Sequence, residues 1–237
     1  MYKNYIFDLY GTLIDIRTDE ESQKVWDEYA AWLTERGMKY TGEEVHLVYS
    51  EETAKLVAVE SEYEHKEIDL LPVFTYICRN KKPSVTDEEI WEAGEKFRIF
   101  STSFIKLYDN SKKVLESLKQ AGKNVYLLSN AQRIFTWQEL EVTGILEYFD
   151  DIFISSDYGC KKPDISFYKA LINKHNLNVE ESIMIGNDST TDIAGALAMG
   201  MDGLYIKTEI SPENDPIPPC KYAFADGDIG HVLEIIK

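Results

Sequence analysis

The sequence predicts an α/β fold: a doubly wound parallel sheet with a group of helices inserted after its first strand. Two observations carry this. Short apolar runs stop abruptly in polar or glycine-containing turns, as buried parallel strands do. Between them, from about residue 105 onward, lie segments with helical periodicity, so strand and helix alternate.

Taken in order, the strands are Tyr5-Ile6-Phe7 before Asp8, Val125 to Leu128 before Ser129, Ile152 to Ile154 before Ser155, Ile183 to Ile185 before Gly186, and Gly203 to Ile206 before Lys207. The helices between them include Val114, Leu115, Leu118 and Ala121, closed by Gly122, and Ile193, Ala194, Leu197 and Ala198, closed by Gly200. Residues 16–96 break the alternation and read as several helices, with Val25, Trp26, Tyr29, Trp32 and Leu33 at helical spacing. Such an aromatic stripe predicts packing rather than a ligand box. The expected division is a core of residues 1–15 and 97–237 with residues 16–96 as the inserted unit. Residues 211–219 form a proline-rich loop, with a last strand expected at Tyr222-Ala223-Phe224.

Length and composition set bounds on function. A chain of 237 residues with 44% apolar and 28% charged side chains has enough material for a sizeable core. Its 42 acidic against 25 basic residues give a net charge of −17, which repels phosphate backbones and anionic lipid surfaces. Neither nucleic acid nor a membrane is an expected partner. The N-terminus passes directly into a short strand, and no long apolar run follows, so a cytoplasmic location is expected. Cys78, Cys160 and Cys220 are widely spaced and read as free thiols. The four histidines fall outside every motif, which leaves no support for a histidine base.

The polar groups that follow the strands carry the chemistry. Asp8 ends the first strand, at the sheet edge where ligands bind in such folds, and Gly11 and Thr12 then turn the chain so that backbone N–H groups can approach an anion. Ser129 and Asn130 offer a hydroxyl and an amide at the next strand end. Lys162 can neutralise negative charge held near a nucleophile. Asp188 and Asp192, four apart at a strand-to-helix junction, can face one crevice. Each feature alone is equally a capped turn, a solvated lysine or a helix start. Their common placement at the ends of parallel strands, in one order across one sheet, favours a shared site.

This constellation resembles the haloacid dehalogenase superfamily over nearly the whole chain. Asp8 to Asp15 matches its first motif, Ser129 its second, Lys162 its third, and Asp188 with Asp192 its acidic fourth. Residues 16–96 resemble its helical cap domain. The resemblance implies a hydrolase. In its phosphatases, the aspartate matching Asp8 attacks phosphorus, and the resulting aspartyl phosphate is cleaved by water. Mg2+ would then be held by Asp8, the backbone carbonyl of Tyr10, and Asp188. Ser129 and Lys162 would hold phosphoryl oxygens, with Asp192 supporting the metal site or Lys162. The implied partner is a small phosphorylated molecule.

Tyr10 departs from the phosphatase pattern, which carries there a second aspartate serving as acid and base. A phenol with an ordinary pKa near 10 donates a proton but is a poor base, and such help is typically worth about 10²–10⁴ in rate. The family's dehalogenases also have tyrosine at this position, so metal-independent haloacid hydrolysis is the rival, and Lys162 with Tyr168 keeps a spacing that resembles them. Against the rival, Asp8, Asp188 and Asp192 in one crevice repel by up to about 4 kcal/mol per close pair at an effective dielectric near 20, and a cation relieves this. A third reading keeps the fold and the anion pocket for a binding or regulatory role. Arg17 and Arg133, close in sequence to the first two motifs, are candidates for a second anionic group of the substrate.

Overall fold

The computed structural model describes residues 1–214 and 216–236, so Asp215 of the proline-rich loop lies outside the described residues. The chain runs through β1 (Asn4–Phe7), β2 (Ile14–Thr18), α1 (Gln23–Glu35), α2 (Gly42–Ala58), α3 (Leu71–Lys81), α4 (Asp87–Ser101) and β3 (Thr102–Leu107). It continues through α5 (Ser111–Gln120), β4 (Asn124–Ser129), α6 (Arg133–Val142), β5 (Asp151–Ile154) and α7 (Ile165–His175). The last elements are β6 (Ser182–Gly186), α8 (Ala194–Ala198), β7 (Asp202–Ile206) and β8 (Tyr222–Phe224).

Six strands form one parallel sheet in the order β5-β4-β1-β6-β7-β8. The expected apolar runs are its strands, and they are apolar without alternation because both faces of the sheet are covered. Tyr5 and Phe7 of β1 pack with Val125, Leu127, Ile183 and Ile185 on the face covered by α5. Ile6, between them, points to the opposite face and joins Tyr126, Met184 and the α7 residues Phe167 and Leu171.

Helices α1 to α4 form the insert after β2, with their own apolar centre around Trp26, Tyr29, Phe74 and Phe97. The stripe on α1 is packing, as expected: Val25, Trp26, Tyr29 and Leu33 are buried and Trp32 lies against the same cluster. Helix α6 belongs to the core but contributes Ile134 and Phe135 to this cluster. Gly94 permits that contact, since a Cβ there would lie 2.2 Å from Ile134 Cδ1. Thr41 with Glu44, and Thr86 with Glu89, form capping boxes that start α2 and α4.

The structure adds a ribbon that the sequence reading lacks. Strands β2 and β3 pair antiparallel, from Ile14 opposite Leu107 to Thr18 opposite Thr102, and connect the insert to the core. Helix α4 runs on to Ser101, so a division between residues 96 and 97 falls inside it. No helix among the described residues is long and apolar enough to cross a membrane.

Candidate active site

Strand β1 lies between β4 and β6, where successive strands are laid to opposite sides, and the carboxyl ends of these neighbours leave a crevice. Asp8 follows β1, Ser129 closes β4, Asn187 and Asp188 follow β6, and Lys162 lies in the loop after β5. A cavity of about 260 Å³ opens here, walled by Asp8, Tyr10, Lys162, Asp188 and Asp192. Asn130, Asn187, Thr191, Ile210 and Pro212 complete the wall. No histidine lines it among the described residues, and the three cysteines are free thiols elsewhere.

Lys162 is the centre of charge. Its Nζ donates to Asp8 Oδ1 and to Asp192 Oδ1, each at 2.6 Å, in a buried triad. Burial pulls the lysine pKa down, but Asp192 and Asp8 outweigh that and raise it, so the ammonium stays charged. One cation shared by two carboxylates leaves the triad net negative. Burial first, and Asp8 in addition, push Asp192 up to about 7 against the opposing pull of Lys162.

The neighbouring groups hold this arrangement in place. Asn130 is clamped to the Lys162 peptide in both directions: its Oδ1 accepts from Lys162 N at 2.8 Å and its Nδ2 donates to Lys162 O at 3.0 Å. One N–H of that amide remains for a ligand. Thr12 Oγ1 bridges Asp8 Oδ2 at 3.3 Å and Asn187 Oδ1 at 3.2 Å. The expected anion cradle at Gly11 and Thr12 is not what their amides make. Gly11 N donates to Ile14 O at 2.8 Å and Thr12 N to Leu9 O at 3.3 Å, because the turn needs both. Gly11 instead supplies close approach: its φ is +84°, and a Cβ would lie 2.3 Å from Asn187 Nδ2. Ser129 Oγ is buried without a hydrogen-bond partner, a hydroxyl left over at the strand end.

Asp192 lies in a π-helical turn, Ser189–Ile193, that Asp188 caps, where a regular helix start was expected. Asp188 Oδ1 accepts from Thr190 N at 2.7 Å and Thr191 N at 3.0 Å, so the capping role is real, while the residue also reaches the cavity wall. Asp188 N in turn donates to Asp192 Oδ2 at 3.1 Å. Tyr168, whose spacing from Lys162 resembles that of the family's dehalogenases, donates its hydroxyl to the carbonyls of Thr191 and Asp192 and so braces this turn.

Tyr10 lines the cavity, but its hydroxyl is committed elsewhere. It donates to Glu139 Oε2 and lies 2.9 Å from Thr136 Oγ1. Glu139 Oε1 accepts from Arg98 Nε at 2.6 Å, and Arg98 reaches Glu20 at 2.7 Å. Burial, with Glu139 next, raises the phenol pKa well above its ordinary value. The sequence reading missed Glu139 and Arg98. The available signal was a carboxylate on the apolar face of α6, where Ile134, Phe135, Glu139 and Leu140 are all buried. Arg17 pairs with Asp15 and Glu209, and Arg133 with Asp157, and neither lines the cavity.

A family model of haloacid dehalogenase-like hydrolases matches residues 2–200. A glyceraldehyde 3-phosphate phosphatase of Methanothermobacter thermautotrophicus is 28% identical over 109 residues, 46% of this chain and 48% of that protein. A phosphoglycolate phosphatase of Vibrio cholerae is 33% identical over 130 residues, 55% of this chain and 57% of that protein. The match thus spans about half the length of these two relatives. A phosphoglycolate phosphatase of Vibrio parahaemolyticus matches at 25% identity over 97% of this chain and 94% of its own length. Among solved structures, a HAD phosphatase of Thermococcus onnurineus shares the fold at TM-score 0.60 and 19% identity, covering 99% of this chain and 97% of that one. The hydrolase YfnB of Bacillus subtilis, solved with magnesium bound, has TM-score 0.57 and 19% identity, covering 99% and 98%. A dehalogenase solved with an intermediate complex has TM-score 0.59 and 18% identity, covering 99% and 96%. With the family model spanning most of its length and the motif residues converging at the strand ends, the chain belongs to the haloacid dehalogenase-like hydrolase family.

Proposed function

We propose that the chain is a magnesium-dependent phosphatase acting on small organophosphates through an aspartyl phosphate on Asp8. One observation carries the reading: a single buried lysine faces three carboxylates, Asp8, Asp188 and Asp192, around one cavity. That excess of negative charge suits a hard cation followed by an anionic substrate. The donors fit, since Asp8, the carbonyl of Tyr10 and Asp188 offer oxygen only, and Asp188 Oδ2 takes no part in the helix cap. The unpartnered Ser129 hydroxyl fits a phosphoryl oxygen in the same way. Bound there, Mg2+ would neutralise charge on the phosphoryl group and polarise it.

The chain's own residues then divide the work. Asp8 attacks phosphorus as the bond to the leaving oxygen breaks, and water later cleaves the acyl phosphate. Lys162 holds Asp8 in line and offsets charge on the transferring group. Asp192 holds Lys162, and Asn130 fixes the Lys162 backbone. Tyr10, whose proton is committed to Glu139, lends no acid or base. Leaving groups that need little protonation are therefore favoured.

The test is hydrolysis of p-nitrophenyl phosphate, acetyl phosphate and 2-chloropropionate, each with magnesium and with EDTA, beside Asp8→Asn. Phosphate release that needs magnesium and falls roughly 10³-fold or more in the variant is expected. Chloride release independent of metal would replace this reading with haloacid hydrolysis by the same aspartate, the reading that the phenol at position 10 favours.

A further inference from the structure

The cavity wall includes two residues from a segment that no motif contains, the loop after β7. Residues 207–212 fold back over the sheet edge and are bolted to the first and fourth motifs. Thr208 Oγ1 donates to Gly11 O at 2.9 Å, and Ser211 Oγ donates to Asn187 O at 2.7 Å. Ser211 Oγ also accepts from Thr208 N at 3.0 Å, closing the loop on itself. Glu209 anchors the outer side through Tyr108 and Arg17. Thus fixed, the loop brings Ile210 against Gly11, where a Cβ would lie 2.7 Å from Ile210 Cγ1, and puts Ile210 and Pro212 in the cavity wall.

Ile210 and Pro212 are the only aliphatic side chains in that wall among the described residues. Among the described residues Lys162 is its only cation, and its Nζ donates to Asp8 and Asp192. The arginines within reach along the chain are spent: Arg17 on Asp15 and Glu209, Arg98 on Glu139 and Glu20, Arg133 on Asp157. Lys161 and Lys207, on the flanking loops, contribute nothing to the wall. Beyond the lysine and the metal that would hold the phosphoryl group, a second anionic group on the substrate would meet carboxylates and apolar carbon, with no further cationic side chain in the described wall to receive it.

We infer that the substrate class is a phosphate monoester with an uncharged organic part, selected by the aliphatic wall of Ile210 and Pro212. The inference rests on the phosphatase reading above. It separates substrates that the reading alone leaves equal. Glyceraldehyde 3-phosphate and 3-phosphoglycerate share a carbon skeleton and a leaving oxygen, and they differ in carrying an aldehyde or a carboxylate.

The experiment compares kcat/KM for these two, with magnesium and with p-nitrophenyl phosphate as reference, in the wild-type chain, Ile210→Lys and Pro212→Lys. The aldehyde is expected to be favoured by at least about tenfold in the wild type, with either lysine narrowing that ratio mainly through a lower KM for 3-phosphoglycerate. Thermal melts identify a variant that fails to fold, and the other then carries the comparison. Equal or better turnover of 3-phosphoglycerate by the wild type overturns the inference while leaving the phosphatase reading intact. A wild-type preference that neither folded lysine variant narrows removes Ile210 and Pro212 as its cause. No release from any of the three substrates sinks the phosphatase reading and this inference with it.

Discussion

The Asp8, Lys162 and Asp192 cluster and the Glu139, Arg98 and Glu20 cluster each place one cation between two carboxylates, yet they are built to different ends. In the second, the remaining capacity is used up: Tyr10 donates to Glu139, and Glu20 is part exposed to solvent. That cluster joins the insert to the core, because Arg98 lies on α4 and Glu139 on α6. In the first, capacity is left over. Asp188 adds a third carboxylate to the same cavity, and Ser129 keeps an unused hydroxyl. Buried charge alone therefore does not mark a reactive site in this chain. What separates the first cluster from the second is charge left unspent beside a cavity.

Breaking each cluster in turn sharpens that contrast. Lys162→Met leaves Asp8 and Asp192 buried without a cation. Turnover is expected to fall at least about 10²-fold and stability by about 3–5 kcal/mol, measured by steady-state kinetics and urea unfolding. Unchanged stability would mean that the triad is not ionised as described. Glu139→Gln weakens the second cluster while Arg98 keeps Glu20, so a loss of about 2 kcal/mol is expected with kcat within about threefold of wild type. A drop in kcat as large as that of Lys162→Met would merge the two clusters into one machine. Tyr10→Phe should cost about 1 kcal/mol and leave turnover of p-nitrophenyl phosphate within about threefold, since the hydroxyl faces Glu139. A large kinetic loss would return the phenol to the chemistry.

The smallest effect lies outside both clusters. His231 is held above its ordinary pKa of 6.5 by Asp226 first and Glu234 next. A raised histidine contributes stability that is complete below its unfolded pKa and fades as pH rises through the folded one. The melting temperature gap between wild type and His231→Gln should thus be a few degrees at most near about pH 6, and close toward about pH 9. A gap that widens with pH would contradict the pairing.

The legibility of these features follows from how far apart their parts lie. Asp8, Lys162 and Asp188 were readable because each lies in a segment that follows an apolar strand, so local pattern and sheet topology together predict their meeting, while Ser129 closes β4 and does not line the cavity wall. The contacts Tyr10 to Glu139, Arg98 to Glu139 and Arg98 to Glu20 span 129, 41 and 78 residues and join a loop, two helices and a turn, and no period links them. The amides of Gly11 and Thr12 misled because the turn that exposes them also consumes them. The β2–β3 ribbon was missed although Ile14 and Ile16 alternate with Asp15 and Arg17, because its partner strand lies beyond four helices.

That ribbon has a consequence for how the insert is tolerated. Its incoming and outgoing strands are zipped by pairs from Ile14 opposite Leu107 to Thr18 opposite Thr102, so to the core the whole helical insert is a single long loop whose ends are already joined. Closing a loop costs entropy that grows only with the logarithm of its length, about 0.6 kcal/mol for each doubling. The entropic cost of extra chain beyond the ribbon is therefore small, and the insert can be lengthened or shortened at little cost in closure as long as the contacts of α4 with α6, Gly94 on Ile134 and Arg98 on Glu139, are kept.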